Sequence, residues 1–275
     1  MDNIAYLPDR FDFTLATTVF TQYVLFRTSE IDIVVGSLPD KYNEINNMLV
    51  KAQLLKMPHK YKNLHRVTKD IILCDSVDDN TRYLITNKEY MGLPERATQT
   101  FTGITCGKLS FVNVIGKNTK STWEMFSDCK IRTLDISGIY APNVDSVYQM
   151  FYGSYIEELE LGKFMGCKAS SFNGMFAASV VDKVDITRID FSNLQHLEHM
   201  FYDAVIRSVD LSNIPSHKNI TTDEMLYRAR IGTIIYPKDF LLSLKLRFES
   251  AKAYHYDPDE IKNRLRKVRQ YGLQK

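Results

Sequence analysis

Residues 121–137 read STWEMFSDCKIRTLDIS, and residues 146–162 read SVYQMFYGSYIEELELG, the same outline displaced by 25 positions. The displacement persists: Met125-Phe126, Met150-Phe151, Met175-Phe176 and Met200-Phe201 stand 25 residues apart, and Met225-Leu226 continues the series with a changed aromatic. A fixed period of this size is the signature of a stacked architecture, in which one supersecondary unit recurs and buries itself against its neighbours. The flanking positions keep step. Ile131, Ile156, Val181, Ile206 and Ile231 form one column, Leu134, Leu159, Val184, Val209 and Ile234 a second, and Ile136, Leu161, Ile186, Leu211 and Tyr236 a third. Each unit thus carries apolar-x-x-apolar-x-apolar, the pattern of a short strand.

Before each strand lies a column of small residues, Cys129, Ser154, Ser179, Ala204 and Ala229, where a tight change of direction is expected. Ahead of the Met-Phe pairs, Ser121-x-x-Glu124, Ser146-x-x-Gln149 and Thr221-x-x-Glu224 have the form of capping boxes, which predicts a short helix in each unit. Val147, Met150 and Phe151 follow at i, i+3 and i+4 and would share its inner face. The expected unit is helix, turn, strand, loop. One such unit buries too little apolar surface to offset the ordering of its own backbone, so stacking must supply the rest.

The segment MFSDCKIRTLDISGIYAPNVDSVYQMF, residues 125–151, resembles the repeat of the BspA-like leucine-rich-repeat proteins, in which Met-Phe, a small residue or Cys, a Leu-Asp-Leu-Ser strand and an Asn-Val segment recur. The resemblance covers about residues 100–237 and implies a solenoid specialised for binding macromolecules. The expected fold class is α+β. Residues 1–99 are read as a small α+β domain of no recognised family, 100–237 as a leucine-rich-repeat-like α/β solenoid of about five repeats, and 238–275 as a helical cap with a basic helix.

At the front, TFTGITCGKLSFV aligns Thr100-Phe101 with Met-Phe and Cys106, Leu109 and Phe111 with the three strand columns, so a degenerate half-copy is expected to seal the stack. At the back, Pro237 follows Tyr236 and cannot donate to a further ladder. Phe240, Leu241, Leu244 and Phe248 recur at helical spacing and should lie over the last unit, and Asp257-Pro258-Asp259-Glu260 is a strong helix start. In the N-terminal part, YVLFRTSEIDIVV reads as two strands, SLPDKYNEINNMLVKAQLLKM as a helix capped by Ser37 with Ile45, Met48, Leu49 and Ala52 inward, and DIILCDS and RYLIT as strands around an Asp78-Asp79-Asn80 turn.

Composition is that of an ordinary folded chain: 275 residues, 44% apolar and 25% charged, with a formal charge of +2. Apolar runs such as IDIVV are far below the roughly 20 residues of a membrane helix, and the start MDNIAYLPDRFDF has no basic segment followed by an apolar one. The expectation is a cytoplasmic chain with no membrane contact. Cys74, Cys106, Cys129 and Cys167 form no C-x-x-C pair and are read as reduced thiols. Lys and Arg outnumber Asp and Glu 10 to 5 in residues 238–275, while the rest of the chain is nearly balanced.

Motifs that invite chemistry have plainer explanations. Glu30 and Asp32 precede Gly36-Ser37, the reverse of the order in nucleotidyltransferases, and GITCGKLS falls one residue short of a phosphate loop. His196 and His199 occupy the slots of Ser121 and Glu124, beside inward Leu197 and Met200, so the repeat frame explains them without a metal. No cofactor or catalytic constellation is assigned, and the chain is expected not to be an enzyme. The expected function is a protein-protein interaction scaffold, with a virus- or mobile-element-encoded inhibitor of a host system as one form of it. Asp135, Glu160, Asp185 and Asp210 should form an outward acidic column and are the candidate contacts for a protein partner. The alternative is nucleic-acid binding through the C-terminal helix, using Lys262, Arg264, Arg266, Lys267 and Arg269. HKYKNLHRVTK, residues 59–69, is a second basic patch.

Overall fold

The computed structural model describes residues 31–55, 61–68, 71–76, 78–215, 220–250 and 254–273. Its central element is a β-solenoid of about six coils. Successive coils are joined by bridges Arg96↔Ser121, Ser121↔Ser146, Ser146↔Ser171, Ser171↔His196 and His196↔Thr221, each one period apart. The strands β6 (Thr105–Val112), β8 (Lys130–Asp135), β10 (Tyr155–Glu160), β11 (Val180–Asp185), β12 (Val205–Asp210) and β13 (Arg230–Ile235) lie side by side in that order. Their register keeps the sequence columns: Ile131 pairs with Ile156, Leu134 with Leu159, Val184 with Val209 and Val209 with Ile234. A smaller sheet, β5 (Met91–Gly92), β7 (Val114–Ile115) and β9 (Ile139–Tyr140), forms a further strip of the coils.

Stacking of identical residues builds the core. Phe101, Phe126, Phe151, Phe176 and Phe201 are fully buried and form an unbroken ladder with ring centroids 5.5, 5.7, 5.1 and 5.6 Å apart and planes within 13° of parallel. Each such pair adds about 0.5–1.5 kcal/mol to the burial of the rings themselves. Met125, Met150, Met175, Met200 and Met225 lie beside them, all without exposure. The small column is equally buried. The Cys129 amide donates to Ser154 Oγ at 3.1 Å, and the Ser179 hydroxyl donates to the Phe176 carbonyl at 2.7 Å. These side chains satisfy backbone groups that the change of direction takes out of the ladder.

The expected helices are absent from the described coils. Each Met-Phe segment is instead a double turn with two left-handed residues, at Glu124 and Asp128 (φ 51° and 54°), Gln149 and Gly153 (51° and 65°), Gly174 and Ala178 (60° and 56°), His199 and Asp203 (58° and 58°), and Glu224 and Arg228 (53° and 57°). Amides that a helix would direct along its own axis bond to the next coil: Thr122, Glu124, Phe126 and Asp128 donate to Ser146, Tyr148, Met150 and Tyr152 carbonyls. Ser121 Oγ accepts from the Trp123 amide at 3.3 Å rather than from Glu124, so the capping-box reading fails. Two left-handed residues four positions apart in each such segment prevent the i to i−4 ladder, and inter-coil bonds satisfy the same donors. The α/β leucine-rich-repeat-like form is therefore corrected to a β-solenoid.

The front is also built differently from expectation. Cys106 and Leu109 pair with Ile131 and Leu134, as their alignment requires, and Phe101 starts the ring ladder. Yet β6 does not close the stack, because β1 (Asp32–Ser37) pairs with it in parallel, Ile33 to Leu109 and Val35 to Phe111. The sheet continues through β4 (Thr81–Thr86), β3 (Ile71–Ser76) and β2 (Tyr61–Thr68), making ten strands among the described residues. Gly36 permits the junction: its φ is 148°, and a Cβ there would lie 1.9 Å from the Val112 carbonyl oxygen. Ile33, Val35, Leu73 and Leu84 enter the solenoid core, while Ile72, Cys74 and Ile85 pack on the opposite side with Tyr42 and Ile45 of α1 (Pro39–Leu55).

Ser37 is not the cap of α1. Its hydroxyl donates to the Lys88 carbonyl, the Tyr42 amide reaches the Leu38 carbonyl at 2.8 Å, and Pro39 takes the first helical position. The first strand read in YVLFRTSEIDIVV, and the side chains of Leu49 and Ala52, lie outside the described residues. At the other end, α2 (Phe240–Ser250) sends Leu242 and Leu246 into the solenoid core. The final helix, α3 (Pro258–Leu273), returns along the outer face of the sheet and touches β10, β11 and β12. Among the described residues no helix is long and apolar enough to cross a membrane.

Candidate interaction surfaces

The acidic column is held by the chain itself. Asp135 Oδ1 accepts from the Ser137 amide at 3.0 Å and its hydroxyl at 2.6 Å, and Asp185 makes the same pair with Thr187 at 3.0 and 2.6 Å. Glu160 accepts from the Gly162 amide at 2.9 Å and Asp210 from the Ser212 amide at 2.9 Å. Each carboxylate thus closes the turn after its strand. The register sets Asp135 opposite Glu160 and Asp185 opposite Asp210, with Ile235 ending the column. Arg188 stands 3.9 Å from Glu160 and Lys183 4.0 Å from Asp185. The Thr187 hydroxyl, with its amide and these cations, holds the Asp185 carboxyl below its ordinary range.

The basic helix is partly self-engaged as well. Arg264 and Arg230 both reach Glu260, at 2.6 and 3.1 Å, and Lys262 lies 3.6 Å from Asp259. Arg266 is exposed, and the side chains of Lys267 and Arg269 lie outside the described set. Residues 61–68 of the other basic segment form β2, an edge strand that sequence reasoning did not anticipate.

A third surface escaped the sequence reading. On the outside of the double turns, Trp123, Tyr148 and Tyr152 are 45%, 40% and 38% exposed, and Trp123 meets Tyr148 edge-on at 6.2 Å. Two coils further on, Tyr202 and Tyr227 stack at 5.5 Å. The intervening coil carries Asn173 and Ala177 at these positions. The signal was present, because the slots at 123, 148, 152, 202 and 227 face away from the core in the 25-residue frame yet hold aromatics. His196 sits 3.3 Å from Glu198 and 3.0 Å from Thr221 Oγ1, and His199 is 3.1 Å from Glu224, so both lie on this face as the frame requires.

Among the described residues, the cysteines and the motifs that invited chemistry do not converge on one site. All four cysteines are buried, and burial pushes the thiols of Cys74 and Cys129 up to about 12 and that of Cys167 up to about 11, which removes them as nucleophiles. Gly107 and Lys108 of the GITCGKLS motif are in the paired strand β6 rather than in a phosphate-cradling loop. Glu30 lies outside the described residues, and Asp32 belongs to β1. No group of three His, Cys, Asp or Glu placed to hold a metal ion occurs among the described residues.

A family model described as "Mycoplasma protein of unknown function, DUF285" matches residues 120–233, a span that begins beside Ser121 and ends in β13. The matched description names no leucine-rich repeat, and the chain is similar to this family across the coils rather than in its N-terminal strands. No curated protein and no solved structure matches the chain.

Proposed function

We propose that the chain is a non-enzymatic interaction scaffold that binds another protein through the outer face of its double turns. The observation that carries this reading is the row of half-exposed aromatics, Trp123, Tyr148 and Tyr152, on a backbone fixed by inter-coil hydrogen bonds. Large, rigid aromatic side chains supply contact area at small cost in side-chain entropy and dominate protein interfaces. The acidic column is the weaker candidate, since its carboxylates already close turns. The two engaged cations of α3, Lys262 and Arg264, argue against a free phosphate-binding ridge.

The test is affinity capture from native cells, with nuclease, comparing the wild-type chain and the triple variant Trp123→Ala, Tyr148→Ala, Tyr152→Ala. Loss of a protein captured by the wild type, with the melting temperature of the variant nearly unchanged, supports the reading. Equal capture by both removes it, and capture abolished by nuclease favours nucleic acid.

A further inference from the structure

The outer face of the double turns is set apart by its charge as well as by its aromatics. Across the five turns, residues 121–129, 146–154, 171–179, 196–204 and 221–229, stand six carboxylates, Glu124, Asp128, Glu198, Asp203, Asp223 and Glu224, with one arginine, Arg228, and no lysine. The whole chain carries 35 Lys and Arg against 33 Asp and Glu, so the shortage of cations is local to this face. Arg96 and Lys120 border its front end. Along the long strands and the turns that follow them the signs are mixed instead. Arg207 lies 2.6 Å from Asp182, Arg188 3.9 Å from Glu160 and Lys183 4.0 Å from Asp185.

The cation within the turns shows how the face holds positive charge. The Arg228 guanidinium is 3.4 Å from Asp203, and its carbon lies 5.9 Å from the ring centre of Tyr254. Other carboxylates and rings of the face are open to solvent: Asp128, Asp223 and Glu224 are exposed, as are Trp123, Tyr148, Tyr152 and Tyr227. Glu224 meets His199 at 3.1 Å, that ring meets Tyr202 edge-on at 5.5 Å, and Tyr202 stacks on Tyr227, so acid and aromatic groups are contiguous. Aromatic faces attract cations through their quadrupoles, and arginine can stack on a ring while donating to a carboxylate. Five coils spaced by about 4.8 Å make the face about 19 Å long, a distance that an extended peptide of about six residues spans.

Building on the interaction-scaffold reading, we propose that the double-turn face binds a basic, arginine-rich segment of a partner protein, with guanidinium groups set against Trp123, Tyr148 and Tyr227 and against the carboxylates of Asp128, Asp223 and Glu224. Charge complementarity selects this occupant. A polyanion is repelled by the same face, and a purely apolar segment would desolvate the carboxylates without pairing them.

Trp123 is the chain's single tryptophan, so its emission reports on this face alone. The probe is an octapeptide of alternating arginine and serine, titrated into the full chain while that emission is followed. The peptide should change the emission to saturation, its affinity should fall about tenfold or more as salt rises from about 0.05 to about 0.5 M, and glutamate in place of its arginines should abolish the response. Asp128→Asn, Asp223→Asn and Glu224→Gln together remove three exposed charges while keeping shape, and should weaken binding about tenfold with the melting temperature unchanged. Equal affinity for the wild type and the folded carboxylate variant overturns the proposal. So does peptide binding that is indifferent to salt or leaves the Trp123 emission unaltered, and these two measurements decide on the wild-type chain should the variant fail to fold. In capture from native cells, a partner lost by the aromatic triple variant but retained by the carboxylate variant would remove the basic segment and leave the scaffold. Salt-sensitive peptide binding with no captured protein would leave the cation-binding face and remove the scaffold.

Discussion

The inside and the outside of one coil follow different rules. Inward columns hold nearly one residue type, with five stacked phenylalanines and five methionines. Outward columns hold almost anything: Trp123, Tyr148, Asn173, Glu198 and Asp223 succeed each other at one position. An inward residue touches its own equivalents above and below, so its size must match them. An outward residue meets solvent on one side, and its identity is left for contact with other molecules. Stability should therefore reside inside the coil and recognition outside it.

The largest expected effect breaks the inside. Met175→Asp buries a carboxylate in a column with no exposure, and the uncompensated charge should unfold the solenoid cooperatively, seen as loss of its thermal transition. Phe176→Ala removes the ring between Phe151 and Phe201 and should cost about 3–5 kcal/mol in denaturant unfolding. Either variant with an unaltered transition would end the claim that the inner columns carry the fold.

Smaller effects belong to the outside. The pair Asp185→Asn and Asp210→Asn keeps shape and should cost at most about 1 kcal/mol at neutral pH, because both carboxylates are partly solvated. Asp185 titrates below its ordinary value of 3.8 when folded, so its contribution is fully present above that value and lost as pH falls through the folded value. The part of the stability gap due to Asp185 should accordingly close as pH falls below about 4. Ala178→Gly is the smallest and the sharpest. In a helix it would cost about 1 kcal/mol, whereas at the observed φ of 56° it should be neutral or stabilising, since left-handed backbone penalises a Cβ. The sign of that change distinguishes the double turn from the helix that the capping boxes suggest.

That sign also marks the limit of what was legible in the sequence. The period, the three strand columns and the alignment of Cys106 and Leu109 with Ile131 and Leu134 could all be read, because strict spacing forces register. The shape of the Met-Phe segment could not. Ser121-x-x-Glu124 satisfies the local pattern of a helix start, and only the neighbouring coil, 25 residues away, offers the carbonyls that the amides choose. β2 was missed because its residues, with Lys62, Asn63, His65 and Arg66 among them, lack the apolar alternation of a buried strand. Of the surfaces, the repeat frame lines up Asp135 with Glu160 and Asp185 with Asp210, as the register does, but their turn-closing bonds depend on backbone geometry. The landing of α3 required knowing that Val180 and Val205 become neighbours with their side chains outward.

The ladder of bridges from Arg96 to Thr221, each one period apart, bears on how such a chain can vary in length. A gain or loss of 25 residues between coils returns every phenylalanine, methionine and small residue to its own column, whereas any other number shifts all later positions out of register. Descendants of this sequence are thus expected to differ in the solenoid by whole coils, lengthening or shortening its surface in steps of about 4.8 Å.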